Sequence, residues 1–93
     1  MTVDSLNKLD ISAKHEQDFR RTILIVDDEP VNLRLLGNIL GEEYDILYAQ
    51  TGEEALSEIR NQKDFLSLVL LDLYMPNGNG YMVLDECKKE SFF

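Results

Sequence analysis

The chain of 93 residues carries a net charge of −9, and 44% of its residues are hydrophobic while 29% are charged. This length allows at most one small domain, and this composition excludes an intrinsically disordered chain. No apolar run approaches the roughly 18 residues that a membrane-spanning helix needs, and Asp4, Lys8 and Asp10 interrupt any secretory leader, so we expect a cytoplasmic protein of bacterial size without membrane contact.

The acidic charge lies after residue 21. Residues 1–21 carry four acidic and four basic side chains, whereas residues 22–93 carry the other fourteen acidic and five basic ones. Such a surface repels the phosphates of nucleic acids and favours cations or basic partner surfaces, so we expect no direct contact with DNA or RNA. The single cysteine, Cys87, excludes an internal disulfide and offers no pair of thiolate metal ligands.

The first regular elements begin at residue 22. Residues 1–21 show no sustained hydrophobic period, and we interpret them as an N-terminal linker or arm. Residues 22–26 (TILIV) form the β-branched apolar run that is typical of a strand buried on both faces. A helix follows, because Pro30 suits a first helical turn and Gly41 can end the helix. Its apolar side chains recur at helical spacing: Val31, Leu35, Leu36, Ile39 and Leu40.

Two further strands are predicted, with a helix between them. Residues 45–49 (DILYA) predict the second strand, and residues 66–71 (LSLVLL) predict a third, again buried. Thr51 and Glu54 fit a capping box, in which both side chains bond backbone N–H groups at the start of the intervening helix. The apolar face of that helix consists of Ala55, Leu56 and Ile59.

A third helix is predicted after the turn-rich stretch 75–80. It carries Tyr81, Leu84 and Cys87, and two lysines near its C-terminus suit the helix dipole. The complete order is β-α-β-α-β-α. This order predicts an α/β fold with a parallel sheet and right-handed crossovers.

Carboxylates follow two of the predicted strands. Asp27 and Asp28 come directly after the first strand, and Asp72 comes directly after the third. If these strands are neighbours about 4.8 Å apart, the carboxylates lie within reach of one ion. Each like-charged pair at roughly 5 Å repels by roughly 3 kcal/mol at an effective dielectric constant near 20, so the cluster needs protonation, a basic partner or a bound cation. Oxygen ligands with room for water favour Mg²⁺.

Other interpretations of these acids fit less well. Asp27 and Asp28 alone would suit a solvated loop or a helix N-terminus, but the matched position of Asp72 favours an ion site. A nucleotide or flavin binder needs a glycine-rich phosphate loop after the first strand, where this chain places three acidic residues. A phosphohydrolase with an aspartyl nucleophile usually has a second acid two residues later, and that position is Tyr74.

The motifs also resemble a known family. Val26-Asp27-Asp28-Glu29-Pro30, Leu70-Leu71-Asp72 and Met75-Pro76 followed by glycines are similar to the receiver domain of two-component response regulators, over residues 22 to about 90. The stretch 30–36 is similar to receivers that precede cyclic-dinucleotide or histidine-kinase modules. The resemblance implies a flavodoxin-like, doubly wound parallel sheet. It also implies that the protein is a phosphoprotein that takes part in phosphorelay signal transduction and that it is not an enzyme.

The resemblance assigns a role to each acid. Asp72 matches the phosphoacceptor, which is also a Mg²⁺ ligand. Asp28 matches the direct Mg²⁺ ligand, Asp27 matches the acid that acts through ordered water, and the backbone carbonyl of Tyr74 matches the remaining protein ligand. The implied phosphoryl donor is a phosphohistidine on a sensor histidine kinase or phosphotransfer protein, or a small acyl phosphate. The chemistry suits a carboxylate nucleophile assisted by Mg²⁺.

Two departures from the family pattern stand out. Asn79 replaces the usual acidic residue before the last glycine of the turn, and Asn caps a helix about as well as Asp. Family receivers also continue for two more strands and helices, which carry a Ser/Thr and a Lys that contact the phosphoryl group. We therefore expect residues 22–93 to be the N-terminal part of a receiver domain, with three strands and three helices of the usual five and five.

The third strand is central in the family order 2-1-3-4-5, but in this chain it becomes an edge strand. An apolar edge strand exposes side chains and unpaired backbone groups. We therefore expect a homodimer, or exchange of segments between copies, through the third strand. The alternative function is a degenerate receiver fragment that acts as a protein-interaction or dimerisation module without stable phosphorylation.

Overall fold

The computed structural model describes residues 20–76 and 80–92. Within these residues three strands and three helices alternate, as the sequence predicts. They are β1 (Thr22–Val26), α1 (Pro30–Leu40), β2 (Asp45–Ala49), α2 (Gly52–Gln62), β3 (Leu66–Leu71) and α3 (Gly80–Lys89). Residues 1–19 of the arm predicted for residues 1–21 lie outside the described residues. Asn79 lies outside them as well.

The three strands form one parallel sheet in the order β2-β1-β3. Val26, the last residue of β1, pairs with Ala49 on one side and with Leu71 on the other. The ladder extends one residue further, because the Asp72 N–H donates to the carbonyl of Val26 at 3.0 Å and the Asp27 N–H donates to that of Ala49 at 3.1 Å. The residues that follow β1 and β3 therefore emerge side by side at the carboxyl edge of the sheet.

The core lies on both faces of β1, which explains the uninterrupted apolar run. Leu24 and Val26 point to the face that is covered by α2 and α3, and Ile23 and Ile25 point to the face that is covered by α1, because side chains alternate along a strand. The first face also buries Ala49, Ala55, Leu56, Ile59, Met75, Val83 and Cys87. Helices on both faces of a parallel sheet confirm the predicted doubly wound α/β fold.

The helix ends follow the predicted signals with one difference. Pro30 occupies the first turn of α1. Thr51 caps α2, because its hydroxyl accepts a hydrogen bond from the Glu54 N–H at 3.1 Å. The Glu54 carboxylate accepts from the Gln50 N–H at 2.8 Å, one residue before the cap, so the box closes on the preceding residue. Both side chains thus satisfy backbone donors at this terminus.

Charged side chains link the C-terminal end of α3 to α2. The Arg60 Nε–H donates to Glu90 Oε1 at 3.2 Å, and the Arg60 guanidinium lies 3.8 Å from Glu86 Oε1. The hydrogen bond from Arg60 lowers the pKa of the Glu90 carboxyl below its ordinary value. These exposed contacts contribute little to stability, and the packing of α3 comes mainly from Val83 and Cys87 in the core.

The apolar face predicted for α1 is only partly correct. Leu33, which the prediction omitted, is buried, and Leu36 and Leu40 are partly buried beside it. Val31 and Ile39 are each 63% exposed, and Leu35 is 57% exposed. The helix is apolar around most of its circumference, so helical spacing alone does not select the side that meets the sheet.

The prediction that β3 is buried is wrong, whereas its edge position is confirmed. None of its residues is fully buried, and Leu68 is 46% exposed. The reason is that β3 pairs only with β1 within the described residues.

No helix in the described part of the chain is long and apolar enough to cross a bilayer.

Candidate functional site

Three carboxylates meet at the carboxyl edge of the sheet. Asp27, Asp28 and Asp72 each place one oxygen so that these oxygens all lie within 4.8 Å of one another. The site arises from the register, because the residues that follow the Val26–Leu71 pair are Asp27 and Asp72. Asp27 is buried with 8% of its surface exposed, and the other two aspartates are partly buried.

The start of α1 holds Asp27. Its Oδ1 accepts a hydrogen bond from the Glu29 N–H at 3.0 Å, which forms a local turn that leads into the helix. Its Oδ2 accepts from the Asn32 side-chain amide at 3.2 Å. Both oxygens of this buried carboxylate are therefore engaged, and the side chain has a defined orientation.

The loop after β3 holds Asp72. Its Oδ1 accepts a hydrogen bond from the Tyr74 N–H at 2.9 Å. Met75, only 5% exposed, anchors the next position of the loop in the core. Gly80 begins α3 against the same backbone, since a Cβ on Gly80 would lie 2.3 Å from the Asp72 carbonyl oxygen and 2.6 Å from the Leu73 Cα. Only glycine permits this close approach of the helix to the loop.

The charges at this edge favour a cation. The hydrogen bonds that reach Asp27 and Asp72 come from uncharged N–H donors, so they orient the carboxylates without neutralising them. Three carboxylate oxygens within one ion's reach are a donor set that suits a hard divalent cation such as Mg²⁺, which takes oxygen ligands and keeps several waters. The residues present therefore fit the predicted metal.

The structure brings together the three predicted aspartates. Tyr74 lies in the same loop, and its N–H contacts Asp72, while the role of its carbonyl oxygen as a ligand stays a prediction. Asn32 orients Asp27 from the first turn of α1 and was not among the predicted site residues. Gly80 is a second supporting residue that was not predicted. The sequence signal that could have indicated Asn32 is its amide side chain, two residues after Pro30 at the start of the helix.

The family comparison agrees with this geometry. The sequence model of the response regulator receiver domain matches residues 23–91. The chain belongs to the response regulator receiver family. This match confirms the resemblance to receiver domains that was inferred from the sequence, and it places the chain among two-component signalling proteins.

Curated relatives carry this domain within different proteins. The chain is 44% identical over 75 residues to a probable transcriptional regulator, ycf27, of Pyropia yezoensis. That alignment covers 77% of this chain and 29% of the relative. It is 45% identical over 67 residues to a probable cyclic di-GMP phosphodiesterase of Vibrio cholerae, covering 72% of this chain and 15% of the relative. It is 38% identical over 68 residues to the sensor histidine kinase RcsC of Escherichia coli, covering 72% and 7%.

Solved receiver domains share the fold. The signal receiver domain of a putative Luxo repressor protein from Vibrio parahaemolyticus superposes with a TM-score of 0.72 at 29% identity, over 80% of this chain and 56% of that one. A CheY-like receiver domain protein from Methanospirillum hungatei gives a TM-score of 0.69 at 35% identity, over 76% and 56%. The chain thus spans about half of these receivers and less than a third of the curated relatives above.

Proposed function

We propose that this chain accepts a phosphoryl group on Asp72 in a Mg²⁺-dependent step of a phosphorelay. The observation that carries the proposal is the meeting of Asp27, Asp28 and Asp72 within 4.8 Å at the carboxyl edge of the sheet. Family membership supports the same reaction class. The donor is a phosphohistidine on a sensor histidine kinase or a phosphotransfer protein.

The residues divide the work between holding the ion and accepting the group. Asp28, Asp72 and the Tyr74 carbonyl would bind Mg²⁺ directly, and Asp27 would act through ordered water. When bound, the ion supplies positive charge that offsets the carboxylates and the incoming phosphoryl oxygens. A carboxylate oxygen of Asp72 forms the new P–O bond as the P–N bond of the phosphohistidine breaks, and the imidazole leaves with the bonding electron pair and takes up a proton.

The surface beside the site suits a protein donor. Val31, Leu35 and Ile39 form an exposed apolar stripe along α1, the helix whose first turn holds Asp27. A partner that covers this stripe buries apolar area next to the acceptor, and that burial stabilises the complex. In this proposal residues 22–93 form the N-terminal part of a cytoplasmic receiver. The chain is a signalling acceptor that neither turns over a substrate as an enzyme nor binds nucleic acid directly.

The test is the intact mass of the protein after incubation with Mg²⁺ and acetyl phosphate. We expect one phosphoryl adduct that requires Mg²⁺, disappears when a chelator is added and is absent from Asp72→Asn. An adduct that persists in Asp72→Asn would place the acceptor elsewhere. A folded protein that binds Mg²⁺ but forms no adduct would contradict phosphoryl acceptance by this chain.

A second candidate function is a dimerisation module without stable phosphorylation, and the edge strand favours it. Leu68 is 46% exposed on β3. The groove between β3 and α3 is lined mainly by apolar side chains, among them Val69, Val83 and Leu84. Antiparallel pairing of β3 with its copy would satisfy the free backbone groups of the edge, and exchange of segments is the other route to the same contact.

Sedimentation velocity tests this second function. We expect a dimer for the wild-type chain and a monomer for Leu68→Lys, because a lysine on an edge strand opposes pairing. Asp64→Lys, an exposed substitution that adds a lysine just before β3, serves as the control and should remain dimeric. A monodisperse wild-type monomer at all accessible concentrations would contradict the module.

A further inference from the structure

Two tyrosines contact each other beside the acid cluster. The rings of Tyr74 and Tyr81 are edge to face, with centroids 6.3 Å apart and an interplanar angle of 86°. This arrangement is the favourable one for an aromatic pair. Tyr74 is 81% exposed and Tyr81 is 54% exposed, so neither ring contributes much to the core.

Tyr74 is the residue through which this contact reaches the site. Its N–H donates to Asp72 Oδ1 at 2.9 Å, and its carbonyl is the proposed backbone ligand of the metal. The aromatic contact therefore acts on a residue whose peptide groups serve both the acceptor and the ion. Met75 is anchored in the core on one side of Tyr74, whereas the Tyr74 ring itself extends into solvent except where it meets Tyr81.

Tyr81 is well placed to restrain that ring. It lies in the first turn of α3, next to Gly80, whose lack of a side chain lets the helix start against the backbone of Asp72 and Leu73. The other end of α3 is tied to α2 through Arg60 and Glu90. The first turn of α3 therefore lies against the Asp72 backbone, and the Tyr74 ring has a contact on this helix in addition to the core anchor at Met75.

We propose that Tyr81 is a positioning residue for the metal and phosphoacceptor site, acting through the ring of Tyr74 on the Tyr74 backbone. It holds the Tyr74 N–H on Asp72 and keeps the Tyr74 carbonyl at the cation site. The claim about the Tyr74 carbonyl and the cation is the metal-binding part of the inference, and it rests on the proposed function. The claim about the hydrogen bond from the Tyr74 N–H to Asp72 concerns the metal-free protein and does not depend on that function.

The first test is a Mg²⁺ titration followed by the backbone amide shifts of Asp28 and Asp72. We expect Tyr81→Ala to weaken Mg²⁺ binding by about threefold to tenfold, the range that one aromatic pair supports, and Tyr81→Phe to restore the wild-type affinity because the ring is retained. Tyr48→Ala is the matched control, since Tyr48 is 48% exposed on β2 and should leave Mg²⁺ binding unchanged.

The second test is hydrogen exchange of the Tyr74 amide without metal. We expect faster exchange of this amide in Tyr81→Ala than in the wild type, with wild-type protection in Tyr81→Phe and Tyr48→Ala. Unchanged Tyr74 exchange in Tyr81→Ala would overturn the inference, whatever the metal does. Faster exchange with unchanged Mg²⁺ affinity would overturn its metal-binding part, and a wild-type chain that binds no Mg²⁺ would overturn the proposed function and that part together.

Discussion

β1 and β3 have similar sequences and opposite surroundings. Both are apolar runs that end in aspartate, and they pair with each other along their length. Residues 23–26 of β1 are at most 5% exposed, whereas β3 has no fully buried residue. An apolar run therefore specifies a strand, while the position of that strand in the sheet decides how much of it is buried.

This asymmetry divides the candidate site. Asp27 and Asp28 extend from the most deeply buried strand, and Asp27 is oriented by the helix that follows. Asp72, the proposed phosphoacceptor, extends from an edge strand and is held by its own loop. The part of the candidate site that follows β1 is therefore supported by the core and by α1, whereas the part that follows β3 depends on the β3–α3 loop.

The largest effect expected is a contrast between one leucine in each strand. Leu24→Ala should destabilise the protein by about 2 to 5 kcal/mol, because Leu24 is fully buried and the substitution leaves a cavity. Leu68→Ala should cost about 1 kcal/mol or less, since nearly half of that side chain is already exposed. Urea unfolding followed by circular dichroism measures both changes. Equal losses would mean that β3 is covered in solution.

The next effect concerns charge at the end of β1. Asp28→Asn should stabilise the metal-free protein by about 1 to 2 kcal/mol, because it removes one of three mutually repelling carboxylates that are partly screened by water. Added Mg²⁺ should stabilise the wild type and have little effect on this variant, since a cation that binds only the folded state raises its stability.

Urea unfolding with and without Mg²⁺ separates these two effects. Asp64→Asn is the matched control, because it removes an acidic charge from an exposed turn before β3. We expect it to leave both the metal-free stability and the response to Mg²⁺ unchanged. An Asp28→Asn variant that responds to Mg²⁺ as the wild type does would contradict the direct ligand role of Asp28.

Much of the fold was predictable because its signals are local. The apolar run of β1, Pro30 and the Thr51–Glu54 cap each act within a few residues, and they marked β1 and the starts of α1 and α2. The joint position of the aspartates after two strands predicted their meeting. The exposed face of α1 was not predictable from spacing, since Leu33 and Leu35 are equally apolar and only the sheet distinguishes them.

The supporting contacts of the site were not predictable from the sequence. Asn32 bonds Asp27 across the turn between β1 and α1, and Tyr81 meets Tyr74 across the loop between β3 and α3. Both contacts depend on how a loop returns to its helix, which residue types alone do not specify. Gly80 shows the same limit, because the need for glycine arises from the closeness of α3 to the Asp72 backbone.

A smaller effect tests how the two aspartates are held. Asn32→Ala should destabilise the protein by about 1 kcal/mol, because it removes a side-chain hydrogen bond to the buried Asp27 carboxylate. At Asp72 the donor of the matching bond is the backbone N–H of Tyr74, so no side-chain substitution at Tyr74 removes it. Asn38→Ala, an exposed position on the same helix, is the control for helix propensity. Equal stabilities of the two variants in urea unfolding would mean that the Asn32–Asp27 bond contributes nothing.

The smallest effect expected comes from Cys87, on the side of α3 that faces β3. Burial raises the pKa of the Cys87 thiol above its ordinary value. The thiol of the folded protein therefore keeps its proton at a pH where the thiol of the unfolded chain has lost it. The contribution of Cys87 to the free energy of unfolding is fully present below the ordinary thiol pKa, and it falls as the pH rises toward the raised pKa. Cys87→Ala should lack this fall, and the difference between the two unfolding free energies across alkaline pH isolates it from the titration of lysines and tyrosines. Identical pH profiles would mean that the thiol is solvated. The groove between α3 and β3 would then admit more water than the 8% exposure of Cys87 indicates.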